Sequence, residues 1–276
     1  MPELPEVEIL ARDLHSQLTS AAFTQVEILW PRSVATPDPT TFCRQLCGKA
    51  VLAVGRRGKF IVVSLSGPSF LLIHLRMSGQ LRMVDRADAI DPHCRAVFHL
   101  ADGRRLDFSD TRKFGRLYWL EDATKVLAML GPEPLDKGFA VEELASLLSR
   151  RKGALKPLLL DQRVLAGLGN IYTDEVLFEA GLHPMRRVNT LTGQEITHLY
   201  QSIQHVLQQA IVNRGTTLGD ARFRDTMGRA GQNGEYLQVY QRSGRPCVRC
   251  GTPIQREVIG GRGSHFCPQC QPLAGG

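Results

Sequence analysis

The 276-residue chain has no apolar run approaching the ~18 consecutive residues of a membrane helix, which excludes a helical membrane span. Its first eight residues, MPELPEVE, are acidic and proline-rich and lack the basic and then apolar regions of a secretory leader. The expectation is a cytoplasmic protein whose seven cysteines serve as thiols or metal ligands rather than as a disulfide framework. Internal repeats and low-complexity tracts are missing. Lysine is scarce, at seven of the 34 basic residues. What is present is ordinary globular material, 43% hydrophobic and 22% charged, which argues against a disordered or fibrous chain. The length fits two domains of ~150 residues better than one. Basic residues outnumber acidic ones 34 to 27, and the pI near 9.2 favours a polyanionic partner.

Val7, Leu10, Leu14 and Leu18 fall on one stripe at helical spacing, and Pro5 suits the first turn, where its missing N–H costs nothing. From about 24 to 120 the pattern changes to short β-type runs, among them 60–65, 70–75 and 96–100, separated by turns such as Gly67-Pro68 and Asp102-Gly103. This predicts a two-layer β domain over 1–131 with an N-terminal helix. Gly131-Pro132-Glu133-Pro134 opens an expected linker, 132–140. Helices are predicted at 141–150, 155–161, 171–180 and 193–213, the last starting with the capping-box pattern Thr192-x-x-Glu195. The helical domain is expected to run over 141–235, and 236–276 to form a separate finger. The whole is of the α+β class. From Arg214 onward nine arginines face four acids, so much of the excess charge lies in the tail.

Cys247-x2-Cys250 is followed after sixteen residues by Cys267-x2-Cys270. Two such pairs match a four-cysteine zinc site, since each turn directs two thiolates at one tetrahedral ion. Two disulfides or four free thiols are the alternatives. Closed four-cysteine coordination leaves no position for water, so one structural Zn2+ is expected. The residues between the pairs suggest a β-hairpin turning at Gly260-Gly261 and presenting Arg262. Cys43 and Cys47 are expected to be small core residues.

Proline at position 2 permits removal of Met1, which would expose a secondary amine. An α-amino group has a pKa of ~8 against ~10.4 for lysine, so it is far more often neutral near pH 7. Such an amine attacking a sugar C1′ gives a charged iminium, an electron sink, and Glu3 beside it could transfer protons. A helix-starting proline with no chemistry is the plainer reading of the same residues.

MPELPEVE, together with the terminal four-cysteine finger, resembles formamidopyrimidine-DNA glycosylases. The resemblance continues through Gly58-Lys59-Phe60, His74-Leu75-x-Met77-Ser78-Gly79, Asp110-Thr111-Arg112-x-Phe114-Gly115, Leu155-Lys156-Pro157, Asp161-Gln162, Gly167-x-Gly169-Asn170-Ile171-Tyr172 and Gly261-Arg262. It implies an N-terminal β-sandwich, a helix–two-turn–helix motif and a zinc finger. It also implies a bifunctional glycosylase and AP lyase that removes oxidised purines from duplex DNA and cleaves the strand by β,δ-elimination. Pro2 would be the Schiff-base nucleophile and Glu3 the proton donor. Lys59 would act in β-elimination, and Arg262 in δ-elimination and phosphate binding. His74, His93, Arg112, Arg151, Lys156 and Asn170 would line the DNA.

A flipped nucleotide leaves a void in the duplex, and Met77, Arg112 and Phe114 suit it: a soft thioether, a guanidinium for the orphaned base and a planar wedge. Taken singly they could equally be core residues and a solvated charge. In the same way His74 and His93 could be satisfied core histidines. Residues 216–234 match a loop that covers the flipped purine, and Gly228, Gly231 and Gly234 suggest a lid that orders on binding. Gly219-Asp220 stands there in place of the family's usual basic residue, with Arg222 or Arg224 as substitutes. The expected partner is damaged double-stranded DNA, bound by a monomer. An endonuclease VIII-like enzyme for oxidised pyrimidines is the alternative, although that family usually has glycine where Leu4 stands and lacks the Met/Arg/Phe set. A zinc-containing architectural DNA-binding protein is a second alternative.

Overall fold

A computed structural model of the chain describes residues 2–219 and 223–273. Two compact units are formed, Met1–Ala128 with Asn213–Gly234, and Met129–Val212 with Glu235–Gly276. The first contains α1 (Leu4–Leu18), β1 (Phe23–Ile28), β2 (Val34–Thr36), α2 (Pro39–Leu46), β3 (Val51–Arg57), β4 (Phe60–Leu65), β5 (Ser69–His74), β6 (Gly79–Asp85), β7 (Cys94–Leu100), β8 (Arg104–Asp110), β9 (Arg116–Leu120) and α3 (Thr124–Leu127). Four strands pair in the order β1-β7-β8-β6 and five in the order β2-β9-β5-β4-β3. The expected stripe of α1 is the buried one: Val7, Leu10, Leu14 and Leu18 are 1% exposed or less. Their burial contributes roughly 6–12 kcal/mol in gross terms, against an extended unfolded chain. They share one core with Ile61, Val63, Leu71 and Ile73 of the larger sheet and Ala96, Phe98, Leu106 and Phe108 of the smaller.

Register decides which loops share an end of this sandwich. Phe60 pairs with His74 and His74 with Arg116, while Gly79 pairs with Asp110. The β3–β4 turn with Lys59, the β5–β6 turn with Met77 and the β8–β9 turn with Arg112 and Phe114 therefore project from the same end.

The segment after Val212, expected in the helical domain, belongs instead to the β unit. Arg214 bonds Asp13 (2.7 Å) and Asp225 (3.0 Å), Thr216 N donates to Glu6 Oε1 (2.8 Å), and Met83 N donates to Thr226 O (3.0 Å). Within the segment expected to form a lid, Gly231 N donates to Thr217 Oγ1 (2.8 Å) and Asn233 N to Gly215 O (2.9 Å). The stem is thus pinned rather than loose; Asp220 and Arg222 lie outside the described residues. Cys43 is half-buried, but Cys47 is exposed, with its Sγ donating to Thr24 O (3.0 Å), so the core role expected for it does not hold.

The second unit holds α4 (Val141–Ser149), α5 (Leu155–Leu160), α6 (Asn170–Glu179), α7 (Gly193–Val212), β10 (Gln255–Ile259) and β11 (Arg262–Phe266). The capping box at α7 is reciprocal: Thr192 N donates to Glu195 Oε2 (2.7 Å) and Glu195 N to Thr192 Oγ1 (3.2 Å). The expected linker packs onto this unit, with Phe139 and Glu133 buried, Gly131 N donating to Gln162 O and Ala166 N to Pro132 O. Between α5 and α6, Gln162 fixes both turns, donating to Leu160 O and Leu168 O and accepting from Gly167 N.

Candidate active site and metal centre

Pro2 and Glu3 are buried immediately before α1. Glu3 N donates to Glu6 Oε2 (2.8 Å), and the other Glu6 oxygen takes Thr216 N, so one carboxylate ties the start of the chain to the lid stem. Sequence reasoning missed Glu6. Its signal was present, an acid three residues after Glu3 at a helix start. Helix α1 packs on β3 and β4, fastened by Glu8 to Arg56 (2.9 Å), and Lys59 follows directly in the turn between those strands, also buried. The Arg56 and Arg12 guanidiniums outweigh burial and hold the Glu8 carboxyl below its usual range.

His74 sits at the end of β5 against the Phe60 ring (4.6 Å between centroids). Burial first, then the nearby charges of Arg76 and Lys59, lowers its pKa to about 3. Its Nδ1 accepts Arg76 N (3.0 Å), so the neutral ring carries its proton on Nε2. At physiological pH it is an uncharged N–H donor, suited to a phosphate oxygen by direction rather than by charge. Met77 is half-buried, while Arg112 and Phe114 are exposed, the guanidinium 4.9 Å from the ring centroid. His93 is exposed on the loop before β7.

In the second unit the outcome is mixed. Arg262 is exposed at the hairpin tip, after Gly260 (φ 58) and Gly261 (φ 74); two consecutive left-handed residues make the tight two-residue turn that such a hairpin requires. Arg151 is half-buried at the end of α4, with its guanidinium on Leu147 O. Asn170 opens α6 and donates to Gly263 O (2.9 Å). Lys156 departs from expectation. It is fully buried, its Nζ held by Asp174 Oδ1 (2.6 Å) and Gly263 O (2.9 Å), so its ammonium faces no solvent. An ammonium in a protein interior needs a carboxylate, and Asp174 supplies it while also accepting His265 N (2.9 Å). Lys156 therefore fastens the helices to the finger hairpin instead of lining a surface.

The four cysteine sulfurs lie within 4.8 Å of one another, with Cys247 to Cys270 at 3.8 Å and Cys250 to Cys267 at 3.5 Å. Zinc–thiolate bonds of ~2.3 Å in a tetrahedron place sulfurs ~3.8 Å apart, so the set fits one Zn2+. Hydrogen bonds from Thr252 pull the Cys250 thiol down to about 6, which favours a thiolate, while burial pushes Cys270 up.

Family comparisons match all three parts. Residues 1–117 match the formamidopyrimidine-DNA glycosylase N-terminal domain, 130–221 its H2TH domain, and 244–273 the zinc finger found in FPG and IleRS. A Pelotomaculum thermopropionicum formamidopyrimidine-DNA glycosylase is 45% identical, with 99% of this chain and all of the relative aligned. The chain belongs to the formamidopyrimidine-DNA glycosylase family. Among solved structures, a Lactococcus lactis FPG variant in complex with a Fapy-dG-containing DNA has a TM-score of 0.91 at 35% identity, covering 98% of this chain and 100% of the other. The same L. lactis protein with DNA containing an abasic site also gives 0.91 at 35%, over 98% and 99% of the two chains. The β-sandwich, the helix–two-turn–helix unit and the zinc-finger hairpin expected from the sequence are those of this family. No described helix is long and apolar enough to cross a membrane.

The depressed His74 pKa carries a sign. The unfolded chain binds a proton there near pH 6.5 and the folded chain only near 3, so stability falls as pH drops through that window. By pH 5 the loss reaches ~2 kcal/mol, and His74→Gln should remove it, seen as a smaller pH 7-to-5 drop in urea midpoint. An unchanged drop would contradict a half-buried imidazole kept neutral in the folded chain. Chelating the zinc should abolish DNA binding while leaving the β-sheet circular dichroism of the first unit. Unchanged DNA affinity, or collapse of that signal, would contradict a finger that folds around its own metal.

Proposed function

We propose that this DNA glycosylase excises oxidised purines, 8-oxoguanine and formamidopyrimidines, from duplex DNA and then cleaves the strand as an AP lyase. The carrying observation is the pair Pro2-Glu3, buried just before α1, the helix that packs on the strands flanking Lys59, with Glu3 N held by Glu6. With Met1 removed, the Pro2 nitrogen attacks C1′, the base departs with a proton, and a ring-opened iminium forms. Glu3 supplies the proton to the sugar oxygen. The iminium withdraws electrons, so loss of a 2′ proton expels the 3′ phosphate, and a further elimination expels the 5′ phosphate. Lys59 serves the first elimination and Arg262 the second. His74, His93, Arg151 and Asn170 contact the backbone, with His74 donating from Nε2. Lys156 contributes by holding Gly263, next to Arg262. Met77, Arg112 and Phe114 fill the void left by the flipped nucleotide, and zinc holds the hairpin that presents Arg262.

The substrate preference rests on Leu4 and the exposed Arg112–Phe114 pair, which an enzyme for oxidised pyrimidines is not expected to carry. Matched duplexes carrying 8-oxoguanine or an oxidised pyrimidine should be cleaved at rates at least about tenfold apart, in favour of the purine, a difference of ~1.4 kcal/mol in barrier. Alanine at Met77, Arg112 or Phe114 should slow excision from duplex far more than cleavage at a preformed abasic site, where extrusion costs less. Faster excision of the pyrimidine would overturn the assignment.

A further inference from the structure

Three side chains on two different turns can fill one void only if both turns hold a common geometry. The buried residue that links them is Asp110, 1% exposed at the end of β8. Its Oδ1 accepts the Ser78 hydroxyl, from the turn that carries Met77, and Arg112 N (3.0 Å). Its Oδ2 accepts Gly115 N (2.7 Å), so the carboxylate spans the turn that carries Arg112 and Phe114. Ser78 Oγ also lies 3.3 Å from Arg112 N, which closes the link between the turns. The backbone of Asp110 is fixed as well, its N–H on His93 O and its carbonyl receiving Arg95 Nε (both 2.9 Å). Gly115 has no tolerance here, because a Cβ would lie 2.3 Å from the Phe108 ring. On the outer side, Lys113, in the left-handed region (φ 61), stacks its ammonium 4.1 Å from the Trp30 ring centroid.

We infer that Asp110 and Ser78 are positioning residues that preorganise Met77, Arg112 and Phe114 as one rigid wedge for duplex DNA. This rests on the reading of those three residues as the void-filling set. A wedge ordered in advance loses little conformational entropy on insertion, whereas two unlinked turns must be ordered when the base leaves. Asp110 touches no reacting atom, so its effect should scale with the need for a wedge rather than with chemistry. Asp110→Asn replaces one acceptor oxygen by an NH2 that opposes Arg112 N–H or Gly115 N–H. Ser78→Ala removes only the link between turns.

The test is single-turnover excision of 8-oxoguanine from a fully paired duplex and from a single-base bulge, where the lesion has no opposing partner and is already partly unstacked. Both variants should lose about tenfold or more on the duplex and stay within about threefold of wild type on the bulge, as expected for one or two lost hydrogen bonds expressed only in insertion. Phe114→Ala provides the reference for a lost wedge and should show the same duplex-specific loss. A general loss of folding lowers both rates together and leaves their ratio unmoved. If Phe114→Ala is duplex-specific but Asp110→Asn and Ser78→Ala are not, the positioning role is overturned while the void-filling set stands. If Phe114→Ala is itself not duplex-specific, the void-filling reading fails and takes the positioning role with it. Should Asp110→Asn fail to fold, Ser78→Ala decides alone, by the same ratio.

Discussion

A carboxylate taken out of water keeps its place only when several hydrogen bonds replace its hydration. Glu6, Asp110, Asp174 and Glu175 are all 6% exposed or less, and each accepts backbone N–H groups, Asp174 from His265 of strand β11 and the other three from caps and turns outside the strands. Glu6 holds Glu3 and Thr216, and Asp110 holds Arg112 and Gly115. Asp174 holds His265, and Glu175 takes three successive N–H groups from Gln238, Val239 and Tyr240. Burial raises the Glu175 pKa, and those three donors oppose the rise. Within each unit, these carboxylates therefore tie turns and caps to the neighbouring chain by hydrogen bonds rather than by strand pairing alone.

Charge is distributed with the same economy. Lysines of the family-like motifs are buried, at Lys59 and Lys156, while the cations left at the surface are mainly arginines, among them Arg112 and Arg262. Arginine keeps its charge in any surroundings and suits phosphates by its planar fork, whereas a buried lysine needs a partner or a shifted pKa. His74 is kept neutral by burial and by the neighbouring cations Arg76 and Lys59.

Local signals in the sequence were strong enough to place α1, the strands at 60–65 and 96–100, the capping box of α7 and the four-cysteine hairpin, because each depends on neighbours a few residues away. Long-range placements were not legible. Nothing near Lys156 announces that Asp174 waits eighteen residues on, and a lysine in a motif reads as a surface cation until its partner is seen. The return of Asn213–Gly234 to the β unit depends on Asp13 and Glu6, some two hundred residues earlier. Glycines at 228, 231 and 234 read as freedom, yet Gly231 N is held by Thr217 Oγ1 and Gly228 N by Asp225 O. The residues named for chemistry were read through resemblance; Glu6 and Asp174 were not singled out, and Asp110, though within a quoted motif, was given no role, because burial is invisible in a single acid's neighbours.

The central claim is that the nucleophile is the amine of Pro2. Borohydride reduction during the reaction on a lesion-bearing duplex should trap the protein covalently on DNA, and mass spectrometry of the protease-digested adduct should find the sugar remnant on the N-terminal peptide, at Pro2. Retaining Met1, or adding an N-terminal tag, should abolish trapping while DNA binding persists. A remnant on an internal lysine peptide such as that of Lys59, with Pro2 unmodified, would contradict the account.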